Sequence, residues 1–141
     1  YLASLGELTP QPGAVNLLDE AQAAGLKIGL ASASHNARIV LEKLDLLSRF
    51  EVIGDGHSVT NNKPAPDLFL WVAGGLLVSP ACTVVIEDSG DAIDAALASG
   101  FWTVGVGHAG VSHAHLVALD GLADLTLDHI FEAFSKNEER R

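Results

Sequence analysis

Residues 83–90, Thr83-Val84-Val85-Ile86-Glu87-Asp88-Ser89-Gly90, decide how this chain folds. A continuous apolar run followed at once by two acids and a hydroxyl has the pattern of a buried strand whose end carries polar side chains. Such strands belong to parallel sheets covered by helices, and ligands bind beyond the carboxyl ends of their strands.

The neighbouring sequence repeats this pattern in both directions. Downstream, Ala92, Ala95, Ala96 and Ser99 share a helical register that ends at Gly100, and residues 101–106 return as a strand. Upstream, Phe69, Val72, Ala73 and Leu76 mark a helix, weakened at Gly74 and Gly75 by about 1 kcal/mol per glycine relative to alanine. Before it come a loop over residues 54–66, a short strand at 51–53, a helix over 36–44 with Val40 and Leu44 on one face, and a strand at 27–31. Ala14, Leu17, Leu18 and Ala21 form the first helix behind Pro12-Gly13, with Gly25 placed to end it. The expected fold is α/β, with a parallel sheet and helices on both faces.

Length and composition fit one domain with a packed core: 141 residues, 48% of them hydrophobic. Eighteen acidic against eight basic residues give a net charge of −10, which argues against nucleic acid or an anionic membrane as a partner. A phosphorylated substrate then requires locally placed positive groups or a metal ion. No apolar stretch is long enough for a membrane span, and the expected compartment is the cytoplasm. The single cysteine, Cys82, lies in an apolar run and is expected to be a core thiol in a reducing compartment. The chain contains no Met, even at position 1, which predicts either a processed product or an excised portion of something longer.

Three strand ends carry polar sets: Ser32-Ala33-Ser34-His35-Asn36, then Lys63-Pro64-Ala65-Pro66-Asp67, then Glu87-Asp88-Ser89. Backbone N–H groups and hydroxyls, one ammonium and two adjacent carboxylates are the parts needed to hold a phosphoryl group beside a magnesium ion. Each has a plainer explanation. Ser32 or Ser34 can cap the following helix, Lys63 can be a solvated loop residue, and Asp88 or Ser89 can cap the Ala-rich helix. The three sets are expected at one sheet edge, and the combination favours the phosphate reading.

In that order, Ser32, Lys63 within Lys-Pro-Ala-Pro-Asp, and Glu87-Asp88-Ser89 resemble three successive motifs of the haloacid dehalogenase superfamily. Residues 30–36, Asp55-Gly56-His57, residues 63–69 and residues 123–127 are similar to its β-phosphoglucomutase branch. The resemblance implies a Rossmann-like core and a Mg²⁺-dependent transfer that converts β-glucose 1-phosphate to glucose 6-phosphate through a glucose bisphosphate. It implies that Ser32 and Lys63 bind the transferring phosphoryl group. Ser34, His35 and Asn36, with Ala33 between the serines, would grip the second phosphate, and Glu87 and Asp88 would bind magnesium.

The family opens with a strand ending in Asp-x-Asp, the first Asp the nucleophile and the second the acid and base. No Asp-x-Asp occurs in these 141 residues. By the same resemblance that strand lies mid-sheet, between the strands ending at Ser32 and Glu87. The fold is therefore expected to be incomplete, lacking its central strand and helical cap, with residues 1–12 the end of the cap and a hinge, 13–135 the core and 136–141 a disordered tail. Such a chain is expected to be inactive alone and to self-associate or be complemented by an N-terminal segment.

Two smaller departures stand out. Ala92 occupies a place where the family has Gly, and His35 one where Lys or Arg is common, which would make a phosphate contact there dependent on pH near neutrality. Rival functions are a small-phosphoester phosphatase of the same superfamily and a non-catalytic remnant that binds phosphate or protein. His108, His113 and His115 suggest zinc only weakly, since no Cys lies near, and Trp71 and Trp102 are expected to be packing residues.

Overall fold

The structure, a computed structural model, describes residues 12–61, 65–107, 111, 113–123 and 125–139. In chain order its elements are α1 (Ala14–Ala23), β1 (Gly29–Ala31), α2 (Ala37–Lys43), β2 (Val52–Gly54), α3 (Asp67–Leu76), β3 (Val84–Glu87), α4 (Gly90–Ala98), β4 (Trp102–Val106), β5 (Leu116–Ala118) and α5 (Leu127–Glu139). Single 3-10 turns stand at Leu47–Arg49 and Pro80–Cys82.

All pairings are parallel, and they fall into two groups: β1 with β2, and β3, β4 and β5 in that order. Gly29, Leu30 and Ala31 face Val52, Ile53 and Gly54, while residues 84–87 face residues 102–105. Among the described residues no strand joins β1 to β3. Their edges border a slot of about 190 Å³, lined by residues 29–31 on one side and 83–87 on the other.

Helices hold the two groups together from both faces. On one face α3 spans the slot, because glycines let it approach β1 and β2 closely: a Cβ at Gly29 would meet Val72 Cγ1 at 2.5 Å, and one at Gly54 would meet Val72 Cγ2 at 2.7 Å. The same helix buries Phe69 and Ala73 against Val85, Ala92, Ala95, Ala96 and Phe101, with the Phe69 and Phe101 rings 6.2 Å apart edge to face. A buried Phe contributes about 1.5–3 kcal/mol, so this contact is a main tie across the slot. On the other face α1 supplies Leu17 to a core with Trp102, Val104, Val106, Ile130 and Phe134, and Val15 and Leu18 to one with Leu41, Leu46 and Ile53. The Glu20 carboxylate accepts the Leu127 N–H at 2.9 Å, fixing the start of α5 to α1.

Helices α1 to α4 all close with the N–H after the left-handed residue returning to a carbonyl five residues back: Leu26 to Ala21, Leu46 to Leu41, Val78 to Ala73 and Phe101 to Ala96. Gly25 and Gly100 supply the left-handed residue in two of them, but Asp45 (φ 55) and Leu77 (φ 59) do so in the others.

Residues 116–118, to which the sequence pattern assigns no element, form strand β5, whose register against residues 104–106 is too short to show as a sequence pattern. Three expectations are corrected. Helix α5 runs through Lys136 to Glu139, where the charges predicted a disordered tail, and Lys136 pairs with Glu132 one turn back at 3.2 Å. Cys82 is exposed, because the 3-10 turn lifts it out of the apolar run. Trp102 is buried as expected, but Trp71 is 45% exposed on the outer side of α3. Ala92 fits within the core beside Val85 and Phe101 at 1% exposure.

Candidate phosphate and metal site

The polar sets follow the carboxyl ends of β1, β2 and β3. After β1 the chain turns through residues 32–36 before α2. The Ser32 Oγ accepts the Ser34 N–H at 3.2 Å, and the Ser34 Oγ accepts the Asn36 N–H at 3.1 Å. Neither serine is the N-cap of α2; that position belongs to Asn36, whose side chain makes no capping bond. Each serine hydroxyl acts as an acceptor in its turn, which leaves its own O–H as a donor.

Ser32, Ser34 and Asn36 line one cavity of about 420 Å³ together with Leu30, Ala37, Val40 and Leu41. His35 packs on His57, the ring centroids 4.1 Å apart and the planes at 31°. Ala33 is exposed. Of the three residues expected to grip one phosphate, Ser34 and Asn36 line this cavity and His35 packs on His57.

The loop after β2 is fastened to the loop after β1. The Ser32 N–H donates to the Gly54 carbonyl at 2.9 Å and the Gly56 N–H to the Ser34 carbonyl at 3.1 Å. Within residues 55–58, Asp55 Oδ1 accepts the His57 N–H at 2.8 Å, and the Ser58 hydroxyl accepts the Asp55 N–H at 2.9 Å. Lys63 lies outside the described residues.

Beyond β3, Glu87 borders the slot and is partly buried, while Asp88 is exposed. Glu87 Oε1 accepts the Asp88 N–H at 3.1 Å. Ser89 is the N-cap of α4 and accepts the Ala92 N–H, so it takes the capping role while Asp88 stays outside it. Two consecutive carboxylates, one of them half-exposed at a strand end, are a hard-oxygen donor set that suits Mg²⁺, an ion that takes one or two carboxylates and completes its shell with water and phosphate.

The other histidines are engaged elsewhere. The His113 ring sits 2.9 Å from Asp94 Oδ1 and 3.3 Å from the Gly90 carbonyl, and His115 Nδ1 accepts the buried Thr103 N–H at 3.0 Å while its ring packs on Trp102. His108 lies outside the described residues. His57 is the site-proximal residue to which the sequence reading assigned no role; its signal was the turn-forming Asp-Gly-His-Ser immediately after an apolar strand.

Comparison with known proteins agrees with this architecture. The chain matches the family described as haloacid dehalogenase-like hydrolase over residues 2–106. It is 35% identical over 139 residues to a beta-phosphoglucomutase of Bacillus subtilis, covering 96% of this chain and 62% of that protein. The crystal structure of a beta-phosphoglucomutase from Clostridium difficile superimposes with a TM-score of 0.91 at 36% identity, over 99% of this chain and 64% of that one. The crystal structure of CbbY from Rhodobacter sphaeroides in complex with xylulose-(1,5)bisphosphate gives a TM-score of 0.81 at 25% identity, over 92% and 63%. The chain thus spans somewhat under two thirds of the length of these relatives.

Proposed function

We propose that this chain, which belongs to the haloacid dehalogenase-like hydrolase family, is the phosphate- and metal-holding part of a sugar-phosphate phosphotransferase of the beta-phosphoglucomutase kind. Its reaction would convert β-glucose 1-phosphate to glucose 6-phosphate through glucose 1,6-bisphosphate. The observation that carries this reading is the gathering of Ser32, Ser34 and Asn36 round one cavity at the end of β1, with Glu87 and Asp88 closing β3 across the slot.

In this reading Ser32 and Lys63 hold the phosphoryl group in transfer, one by hydrogen bonding and the other as a point charge. Ser34, His35 and Asn36 orient the second phosphate, with the Ala33 backbone between the serines. Glu87 and Asp88 hold Mg²⁺, which when bound offsets the charge of the phosphoryl oxygens. The protein's own contribution is positioning: hydroxyl donors held in the turn after β1 need no rearrangement as charge moves.

The slot between β1 and β3 takes a parallel strand in this scheme, and by family resemblance that strand brings the Asp-x-Asp carboxylates to the mouth of the site. Parallel edges on both sides would satisfy its backbone. The proposed domain arrangement is a core over residues 13–135 preceded by the end of a cap. A cytoplasmic setting is consistent with one unpaired cysteine and with no described helix long and apolar enough to cross a membrane.

Calorimetric titration of glucose 1,6-bisphosphate with and without Mg²⁺ tests this reading. Saturable binding that strengthens with Mg²⁺ and is lost in Ser32→Ala and Lys63→Ala supports it; heats indistinguishable from dilution in both conditions refute it.

A further inference from the structure

Given the reading of Glu87 and Asp88 as magnesium ligands, on which this rests, we propose that His113 is a positioning residue for those carboxylates. From the loop after β4 it holds the first turn of α4, and with it the Glu87-Asp88 turn, in place.

The ring reaches α4 at two points one helical turn apart. Its Nε2 lies 2.9 Å from Asp94 Oδ1 and 3.3 Å from the Gly90 carbonyl oxygen. A carbonyl and an ionised carboxylate only accept, so Nε2 carries a proton and its N–H is shared between them. Gly90 is the first residue of α4, and only the N-cap Ser89 separates it from Asp88. A tether on the Gly90 carbonyl therefore acts on the turn that carries Asp88.

A tether is as firm as its own support, and this one is anchored on both sides. Two residues before His113, Val111 is fully buried against Gly105, where an added Cβ would meet Val111 Cβ at 2.5 Å, and Gly105 is the register partner of Glu87. Two residues after it, the His115 N–H donates to Thr103 Oγ1 and His115 Nδ1 accepts the Thr103 N–H, both at 3.0 Å, with Thr103 fully buried. The segment over residues 87–90 is thus held at its start by the pairing of Glu87 with β4, and at its end by a side chain pinned to that same strand. Mg²⁺ demands short, near-octahedral oxygen contacts, so a small displacement of Asp88 lowers its affinity. The His113 and Asp94 side chains are exposed, and an exposed pair adds little to stability.

Magnesium titration of the full-length protein, with thermal melts and metal-free hydrogen exchange in parallel, separates positioning from folding. His113→Leu removes the donor; His113→Gln keeps an N–H at about the same reach. The expected result for His113→Leu is a loss of about fivefold in Mg²⁺ affinity, less than the roughly tenfold or more that follows from losing a group in contact with a ligand. Exchange at the Ala92 and Ile93 amides, which bond to Ser89, should quicken without metal while the melting temperature holds. His113→Gln should restore both to within about twofold. Wild-type Mg²⁺ affinity in His113→Leu would overturn the proposal, as would a loss that comes with a lowered melting temperature and is not rescued by His113→Gln. If Asp88→Asn weakens Mg²⁺ binding and His113→Leu does not, only this inference falls; if neither weakens it, the metal reading falls with it.

Discussion

Gly75 in α3 lies against Val52 in β2: a Cβ added at Gly75 would meet Val52 Cγ1 at 3.0 Å and Cγ2 at 3.1 Å, while Gly74, one residue earlier, has nothing within 4 Å. The two glycines look alike in sequence and are different in kind, since one permits close packing on the sheet and the other only lowers helix propensity. Gly74→Ala is therefore expected to stabilise the protein by about 1 kcal/mol. Gly75→Ala should forfeit that gain by pushing Val52 aside. Urea denaturation of the two variants checks the contrast, and equal effects would contradict the packing of α3.

Leu77 ends α3 in the left-handed region at φ 59 while 85% exposed. A side chain there adds strain and buries almost nothing. Leu77→Gly should raise stability by about 1 kcal/mol, visible as an upward shift of the thermal midpoint. An unchanged or lowered midpoint would show that the strain is relieved or offset locally.

The slot between β1 and β3 makes a prediction about the 141-residue chain on its own. With two strand edges facing a gap, it should unfold over a broad range or self-associate in dilute solution. A peptide carrying an apolar strand that ends in Asp-x-Asp should sharpen the transition and raise its midpoint, as a ligand of the folded state does. A sharp, cooperative transition of the monomer, unaffected by such a peptide, would contradict the need for a further strand.

Glu87 and Asp88 are expected to act as a pair toward Mg²⁺. Asp88→Asn removes a ligand charge at an exposed position outside the α4 cap, so the fold should persist while Mg²⁺ affinity falls by about tenfold. Ser89→Ala should do the reverse, costing about 1 kcal/mol of stability through the lost cap and leaving Mg²⁺ binding in place. Calorimetry with MgCl₂ alongside thermal melts separates the two.

Much of this was legible in the sequence because its signals are local. The Thr83–Ile86 run, the Ala92–Ala96 register and the glycines at 25 and 100 announce a strand, a helix and two helix ends without reference to the rest of the chain. Polar sets at strand ends follow from the same alternation. What escaped depends on tertiary context. Three-residue β5 is a strand only because β4 offers it an edge, and Cys82 leaves an apolar run because a 3-10 turn intervenes. The His35 ring occupies space left open by Gly56, twenty-one residues later, a contact that local periodicity does not carry.

The central claim is that the site transfers phosphate between positions of a sugar, and the most direct measurement supplies the full-length protein with β-glucose 1-phosphate, Mg²⁺ and a trace of glucose 1,6-bisphosphate. Glucose 6-phosphate and inorganic phosphate are then followed together. The predicted result is glucose 6-phosphate forming well ahead of free phosphate, and neither forming in Asp88→Asn. Release of inorganic phosphate without glucose 6-phosphate would contradict the account and identify a phosphatase.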